Sequence, residues 1–373
     1  MQVSKTDLKI YQNDDFIALL DYLKKFSSRI YLVGGCVRDH FLGRASADVD
    51  VELYDVDPRR FEQIMQDFGA QGVGKSYFVY KYKSFDISLP RTESKTGIGH
   101  KGFSVALATD EHEASRRRDF TINAMMIDAI SGKVLDFYGG IADLRARILR
   151  VVDPHTFVED SLRVYRAVQF AARFELRAEP RTLELMRSID VSDLSCERVK
   201  AELIKFFRAP AHRYGMMLMQ ELGLYERVFG LRIDPRTHER LIKFIERGES
   251  FVRNEMFFLY AFLNFLGLDK NKILKNLGLN SIYKRLLSEP FFKRVSDEQL
   301  CKIAIKMPLK QWLGLYDKGR VQASKRLGIW DKKFKSLVCA TDVARNLRGA
   351  AIGKEIERLQ EAEIRAFVAA LKA

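Results

Sequence analysis

Asp48-Val-Asp50 lies in a run where Val49, Val51 and Leu53 alternate with Asp48, Asp50 and Glu52. Side chains at i and i+2 share one face of a strand, about 7 Å apart. Two carboxylates facing one way repel each other unless a cation sits between them. Such a pair suits Mg²⁺, a hard ion that takes oxygen ligands and shares them with substrate phosphates. Taken alone, the pair reads better as an acid-decorated edge strand in water; the turn upstream changes that. Upstream runs Leu32-Val-Gly-Gly-Cys-Val-Arg-Asp39, which passes from a strand into a helix. Gly34 and Gly35 allow close approach of backbone to a ligand, the helix start presents N–H groups, and Arg38 adds charge, so the turn suits a phosphate, though alone it reads equally as a plain tight turn. A third carboxylate would complete a two-metal site; the candidate is Asp86, which reads also as a strand-end acid facing water.

Two further clusters follow. Arg116-Arg-Arg-Asp-Phe-Thr-Ile-Asn-Ala124 reads either as a solvated basic turn or as one in which Arg118 would hold triphosphate oxygens, with Asp119 and Asn123 to fix the turn or the ribose. Glu159-Asp-Ser-Leu-Arg-Val-Tyr-Arg166 reads as a helix on which Asp160, Arg163 and Arg166 follow at i,i+3 steps, so that neighbours can touch. On its own this is also an ordinary ladder of surface ion pairs. Cytosine and adenine both show a ring-nitrogen acceptor beside an exocyclic amine donor. A guanidinium and a carboxylate complement that edge, and Arg163 with Asp160 supplies the pair. Uracil and guanine reverse the pattern, at about 1–3 kcal/mol per buried mismatch.

The elements that must position these groups fall into two textures. Short apolar or β-branched runs at Ile30–Val33, Val49–Leu53, Tyr77–Tyr82, Phe85–Leu89 and Met125–Ile130 read as strands, flanked by helices at Asp15–Phe26 and Pro58–Phe68. Beyond about Ala142 the pattern is helical: Glu159–Arg173, Pro180–Ser188, Glu197–Phe207, Arg213–Leu222, Arg236–Glu246 and Glu255–Leu266. The chain of 373 residues carries a formal net charge of +14, which favours a polyanionic partner. No apolar run approaches the roughly 20 residues of a membrane span. The four cysteines form no CxxC pair and the start resembles no leader, so the expectation is a cytoplasmic protein with reduced thiols.

The order GGxVRD (Gly34–Asp39), DxD (Asp48–Asp50), RRDxxxNA (Arg117–Ala124), EDxxRxxR (Glu159–Arg166) and SxERxxxEL (Ser195–Leu203) resembles the class of CCA-adding enzymes and poly(A) polymerases found in bacteria and eukaryotes. The segment Arg91–Phe103 is similar to the flexible loop of CCA-adding members, and Ala350–Ile356 to the segment with which they hold tRNA. The resemblance implies an α+β fold: a mixed-sheet head of the nucleotidyltransferase (DNA polymerase beta) superfamily followed by an all-helical neck, body and tail. Residues 1–145 would be the head, 146–215 the neck with the nucleotide-selecting helix, and 216–373 a tRNA-binding body and tail. It implies Mg²⁺ on Asp48 and Asp50, a CTP/ATP site at Gly35, Arg38, Arg118, Asp160, Arg163 and Arg166, and CCA addition to the acceptor end of tRNA, with no protein partner. Gln169 stands where members often carry another arginine. No His-Asp metal motif appears in the body, so no phosphohydrolase domain is expected. A poly(A) polymerase, an enzyme adding only CC or only A, and a non-catalytic RNA-binding protein are the alternatives. Against the poly(A) polymerase stands Gly72-Val-Gly74 before Lys75–Phe78, in place of the usual Gly-Arg-Arg-Phe-type segment.

Overall fold

The computed structural model describes residues 1–4, 7–73, 78–95, 103–338 and 347–371. The chain divides into two compact units, one of Met1–Phe206 with Tyr214–Leu224 and one of Phe207–Arg213 with Tyr225–Ala373.

In the first unit the strands are β1 (Ile30–Val33), β2 (Val49–Leu53), β3 (Gln71–Gly72), β4 (Val79–Tyr82), β5 (Phe85–Ser88), β6 (Arg91–Lys95), β7 (Phe103–Leu107), β8 (Met126–Asp128) and β9 (Val134–Leu135). Among the described residues, seven of them form one mixed sheet in the order β3-β4-β5-β2-β1-β8-β9, and β6 with β7 makes a separate antiparallel pair. β1 and β2 are buried along nearly their whole length, as central strands of Val, Ile and Leu are. β2 lies antiparallel to β1, with Val33 opposite Asp50, and parallel to β5, with Asp50 opposite Asp86.

The helices of this unit are α1 (Asp14–Leu23), α2 (Gly35–Phe41), α3 (Pro58–Asp67), α4 (Glu111–Arg116), α5 (Gly140–Ala146), α6 (Pro154–Phe157), α7 (Leu162–Phe174), α8 (Pro180–Ser188), α9 (Cys196–Phe207) and α10 (His212–Glu221), the last two reaching residues of the second unit. α1 and α3 each bury an apolar stripe, Phe16, Leu19, Leu20 and Leu23 in one and Phe61, Ile64 and Met65 in the other. Asn13 and Asp57 cap their N-termini, accepting from the first free backbone N–H groups. α7 is buried on most of its surface, and its C-terminal half carries Phe170 and Phe174.

The second unit is helical: α11 (Leu224–Phe229), α12 (Pro235–Glu249), α13 (Phe257–Phe265), α14 (Lys270–Asn276), α15 (Arg285–Ser288), α16 (Asp297–Lys306), α17 (Lys318–Arg326) and α18 (Ala350–Ala370). Leu300, Ile303, Trp312, Leu315, Ile364 and Val368 belong to one of its apolar clusters. The α+β head and the helical remainder agree with the expected fold class. A short parallel pair, Ile148–Leu149 with Arg177–Ala178, interrupts the helical stretch that follows the head. Among the described residues no helix is long and apolar enough to cross a membrane.

Candidate functional site

Gly34 closes the turn between β1 and α2 at φ +70°, a region that side chains disfavour. A Cβ here would lie 3.2 Å from Arg118 Nη1 and 3.3 Å from Asp50 Oδ2. The glycine therefore leaves room for the one cation and the one carboxylate that flank the turn. Together they open into a cavity of about 520 Å³, within the range of small-molecule sites. Gly35, Arg38, Asp50, Arg118, Asp160, Arg163 and Arg166 all line it.

Asp48 and Asp86 are not part of that wall. Asp48 is exposed just before β2, and Asp86 stands beside Asp50 on β5 with Lys81 3.4 Å away. Burial raises the carboxyl pKa of Asp50. Arg118 opposes that rise, while Asp86, Glu52 and Asp48 add to it. A carboxylate crowded by three others is a fitting cation ligand. Among the described residues no three acidic, histidine or cysteine groups enclose a metal by themselves. That suits an ion held by one or two carboxylates and completed by substrate phosphates.

Glu52 is 1% exposed on the same strand, and its Oε1 accepts from Arg118 Nη2 at 2.8 Å and Arg117 Nη2 at 3.2 Å. Burial opposes the charge of Arg118, but Glu52 and Asp50 more than offset it. A second relay joins the turn to α7. Arg38 donates to Asn123 Oδ1 at 2.6 Å, Asn123 Nδ2 to Asp119 Oδ1 at 2.9 Å, and Arg166 Nε to Asp119 Oδ2 at 2.7 Å. Burial alone would raise the Asp119 carboxyl; Arg166 and Asn123 instead hold it at about 2. Asp119 Oδ1 also accepts from the Phe120 N–H at 2.8 Å, so both side chains brace the turn while lining the cavity. Arg38, 4% exposed, also donates to Asp39 and lies over the Phe174 ring at 4.3 Å.

The Asp160–Arg163 pairing read from the spacing is corrected. α7 begins at Leu162, not Glu159, because Asp160 stays outside the helix and its Oδ1 accepts from the Leu162 N–H at 3.2 Å, the usual preference of Asp for helix starts. Its ion partner is Arg198 of α9, at 3.0 and 3.1 Å. Arg163 donates to the carbonyls of Thr156 and Arg117, each at 2.7 Å. Both side chains still face the cavity.

Sequence reading missed Glu52, Arg198, Arg173 and Lys205. Glu52 was signalled by its place on the Asp48–Asp50 face, and Arg198 by the SxER run. Gln169 is buried and accepts from Arg173 Nη1 at 3.1 Å. An arginine thus reaches the cavity one turn beyond the position where members carry it. Burial, then Arg38, lowers the pKa of Arg173. The Lys95–Gly102 loop lies largely, and Gly74–Tyr77 wholly, outside the described residues.

A β2 strand bearing the acid, a glycine turn and a basic cavity define a nucleotidyltransferase-type head. Residues 30–150 match the Poly A polymerase head domain, and residues 176–241 the probable RNA and SrmB-binding site of polymerase A. With about half its length so matched, the chain belongs to the family of CCA-adding enzymes and poly(A) polymerases. It is 37% identical over 238 residues to the multifunctional CCA protein of Stenotrophomonas maltophilia, covering 57% of this chain and 58% of that one. With the multifunctional CCA protein of Nitrosomonas europaea it shares 42% identity over 183 residues, 47% and 43% of the two chains. It thus spans about half the length of the curated relatives it matches. The Bacillus stearothermophilus CCA-adding enzyme in complex with CTP superposes with TM-score 0.66 at 23% identity, over 96% and 93% of the two chains. A tRNA nucleotidyltransferase complexed with a primer tRNA and an incoming ATP analog gives 0.60 at 20%, over 82% and 96%. These two likenesses establish the fold. Membership of a nucleotidyltransferase family implies use of a divalent cation.

Proposed function

We propose that the chain is a tRNA nucleotidyltransferase that adds C, C and A to the tRNA 3′ end from CTP and ATP, without a template. The observation that carries this reading is one cavity onto which the Gly34–Gly35 turn, Asp50, Arg118 and the Asp160–Arg166 segment all open. The relatives named multifunctional CCA proteins, and the fold shared with enzymes solved with CTP and with primer tRNA, support it. We read residues 1–145 as head, 146–215 as neck and 216–373 as body and tail. The free thiols of Cys36, Cys196 and Cys301 accord with a cytoplasmic setting.

Asp48 and Asp50 would hold Mg²⁺, which when bound favours ionisation of the 3′-hydroxyl and neutralises the departing pyrophosphate. The chain's own groups do the rest. Gly34 and Gly35 keep side chains away from the triphosphate, and Arg118, braced by Glu52, faces its oxygens. The RNA 3′-oxygen bonds to the α-phosphorus and gives its proton up to water. The bond to the β-phosphate oxygen breaks, and pyrophosphate leaves with the electron pair. For base selection, Asp160 Oδ1 is filled by Arg198 and the Leu162 N–H, whereas among the described residues Oδ2 takes only Arg198. A carboxylate oxygen accepts two bonds, so Oδ2 has room for the exocyclic amine of C or A. Arg163 keeps guanidinium N–H groups for the ring nitrogen beyond the two that hold carbonyls.

The test is incubation of tRNA lacking its CCA end with Mg²⁺ and single or mixed nucleotides, followed on a sequencing gel. Growth by C, C and A is expected. A run of A, or arrest after CC, would replace this reading with polyadenylation or partial addition. Asp50→Ala should abolish addition while tRNA binding persists; near-parental turnover in that variant would remove the metal assignment.

A further inference from the structure

The second unit holds a cavity of about 690 Å³ whose wall includes Arg240, Phe244 and Arg247 of α12, with Phe265, Phe291 and Tyr316 from other elements. Its rings are continuous. Phe244 lies 5.3 Å from Phe265 and 4.9 Å from Tyr316, and Tyr316 lies 5.9 Å from Phe291, centroid to centroid. Phe244, Phe265 and Phe291 are only half-buried, so flat apolar faces reach solvent. Lys293 adds a third cation to the wall.

The charge is as unbalanced as the rings are continuous. Every acid of α12 is engaged elsewhere: Glu239 with Lys243, Glu246 with Arg213 and Glu249 with His212. Asp317, the one acid on the wall, is paired with Arg320 and caps α17. Arg240, Arg247 and Lys293 form no side-chain hydrogen bond or ion pair among the described residues. The spacing of the arginines also carries information. Arg240 and Arg247 are seven residues apart on α12, about 10 Å along the axis, with Phe244 between them. A lone phosphate would use one end of this row; successive phosphates with a base between them would use all of it.

We propose that this cavity seats a stretch of single-stranded or looped-out RNA, with a base stacked on the Phe244 ring and the flanking phosphates on Arg240 and Arg247. Aromatic faces and unpaired cations in one groove are the means by which proteins hold unpaired strands. The inference needs only that the protein meets RNA, and it concerns a surface separate from the cavity of the first unit.

The probe is a 5′-fluorescein-labelled single-stranded RNA of about twelve nucleotides with a blocked 3′ end, titrated with the full chain at several salt concentrations and read by anisotropy. Arg240→Ala/Arg247→Ala should weaken binding roughly tenfold and make the plot of log affinity against log salt shallower by about 1.4, about 0.7 for each phosphate no longer held. Phe244→Leu should weaken binding about tenfold with the slope unchanged, and Phe244→Tyr, which keeps the ring, should restore it. Thermal melts of each variant show that the fold persists. Unchanged affinity and slope in the double variant would overturn the assignment. A weaker double variant beside an unaffected Phe244→Leu would reduce the cavity to a plain anion site and overturn it too. Binding of AMP or inorganic phosphate that needs Arg240 and Arg247, with RNA affinity indifferent to every variant, would make the occupant a free anion. Failure of the parent to add nucleotides to tRNA would overturn the proposed activity alone, since the blocked probe cannot be extended.

Discussion

At the scale of single residues, the role proposed for Asp160 would make selection separable from turnover. Arg163→Ala removes the donor to the ring nitrogen that C and A share, so use of CTP and ATP should fall together. Asp160→Ala removes the acceptor for the amine, so discrimination against UTP and GTP should loosen more than catalysis falls. Incorporation of each nucleotide, singly, onto tRNA ending before CCA measures both; an Asp160→Ala variant as strict as the parent would move selection to other groups. Arg198 enters the same experiment, because its Nη2 donates to both oxygens of the Asp160 carboxylate and so orients it. Arg198→Ala should loosen selection in the same direction. The double variant should be little worse than Asp160→Ala, a non-additivity expected of residues that touch.

At the scale of elements, the sequence marked β1 and β2 to the residue, since β-branched runs ended by Gly or polar residues leave little choice of boundary. It placed the start of α7 three residues early, because helical spacing is blind to a side chain that folds back onto the backbone ahead of the helix, as Asp160 does on the Leu162 N–H. The β6–β7 pair was not legible at all: Arg91–Lys95 is polar, and its partner strand begins at Phe103. Nor could spacing find Arg198 beside Asp160, 38 positions away, or Glu52 beneath two arginines from another element. The link between α7 and the turn of Arg118–Asn123 has a titration signature. The Asp119 carboxyl is held at about 2 against an ordinary 3.8. Its contribution is therefore complete above about pH 4 and is lost as pH falls through about 2, and it amounts to about 2 kcal/mol. Asp119→Asn should lower the urea midpoint at neutral pH and flatten the loss of stability between about pH 4 and 2. An acid limb identical to the parent's would mean that the carboxylate is not the group that responds.

At the scale of the molecule, 63 basic against 49 acidic residues leave a net charge of +14. Phosphate binding is driven by released counterions, so tRNA affinity should fall steeply with salt, by about a thousandfold between 50 and 200 mM if six phosphates are held. Filter binding across that range measures it, and a flat response would count against RNA as substrate. Intact duplex regions expose little sequence to a protein, so this part of the affinity should vary little between tRNAs.

Asp119 has a thermodynamic meaning beyond its place in the turn. One oxygen is tied to the asparagine that receives Arg38, beside the phosphate turn, and the other to Arg166 on the helix beneath the base-reading groups. In the proposed site the two ends of a bound nucleotide would thereby be coupled through a single carboxylate. Whatever pyrophosphate does to the affinity for cytidine, cytidine must do to the affinity for pyrophosphate, by the reciprocity of linked equilibria. Titrating each alone and in the presence of the other should yield one shared cooperativity factor different from unity, and Asp119→Asn should bring that factor to one.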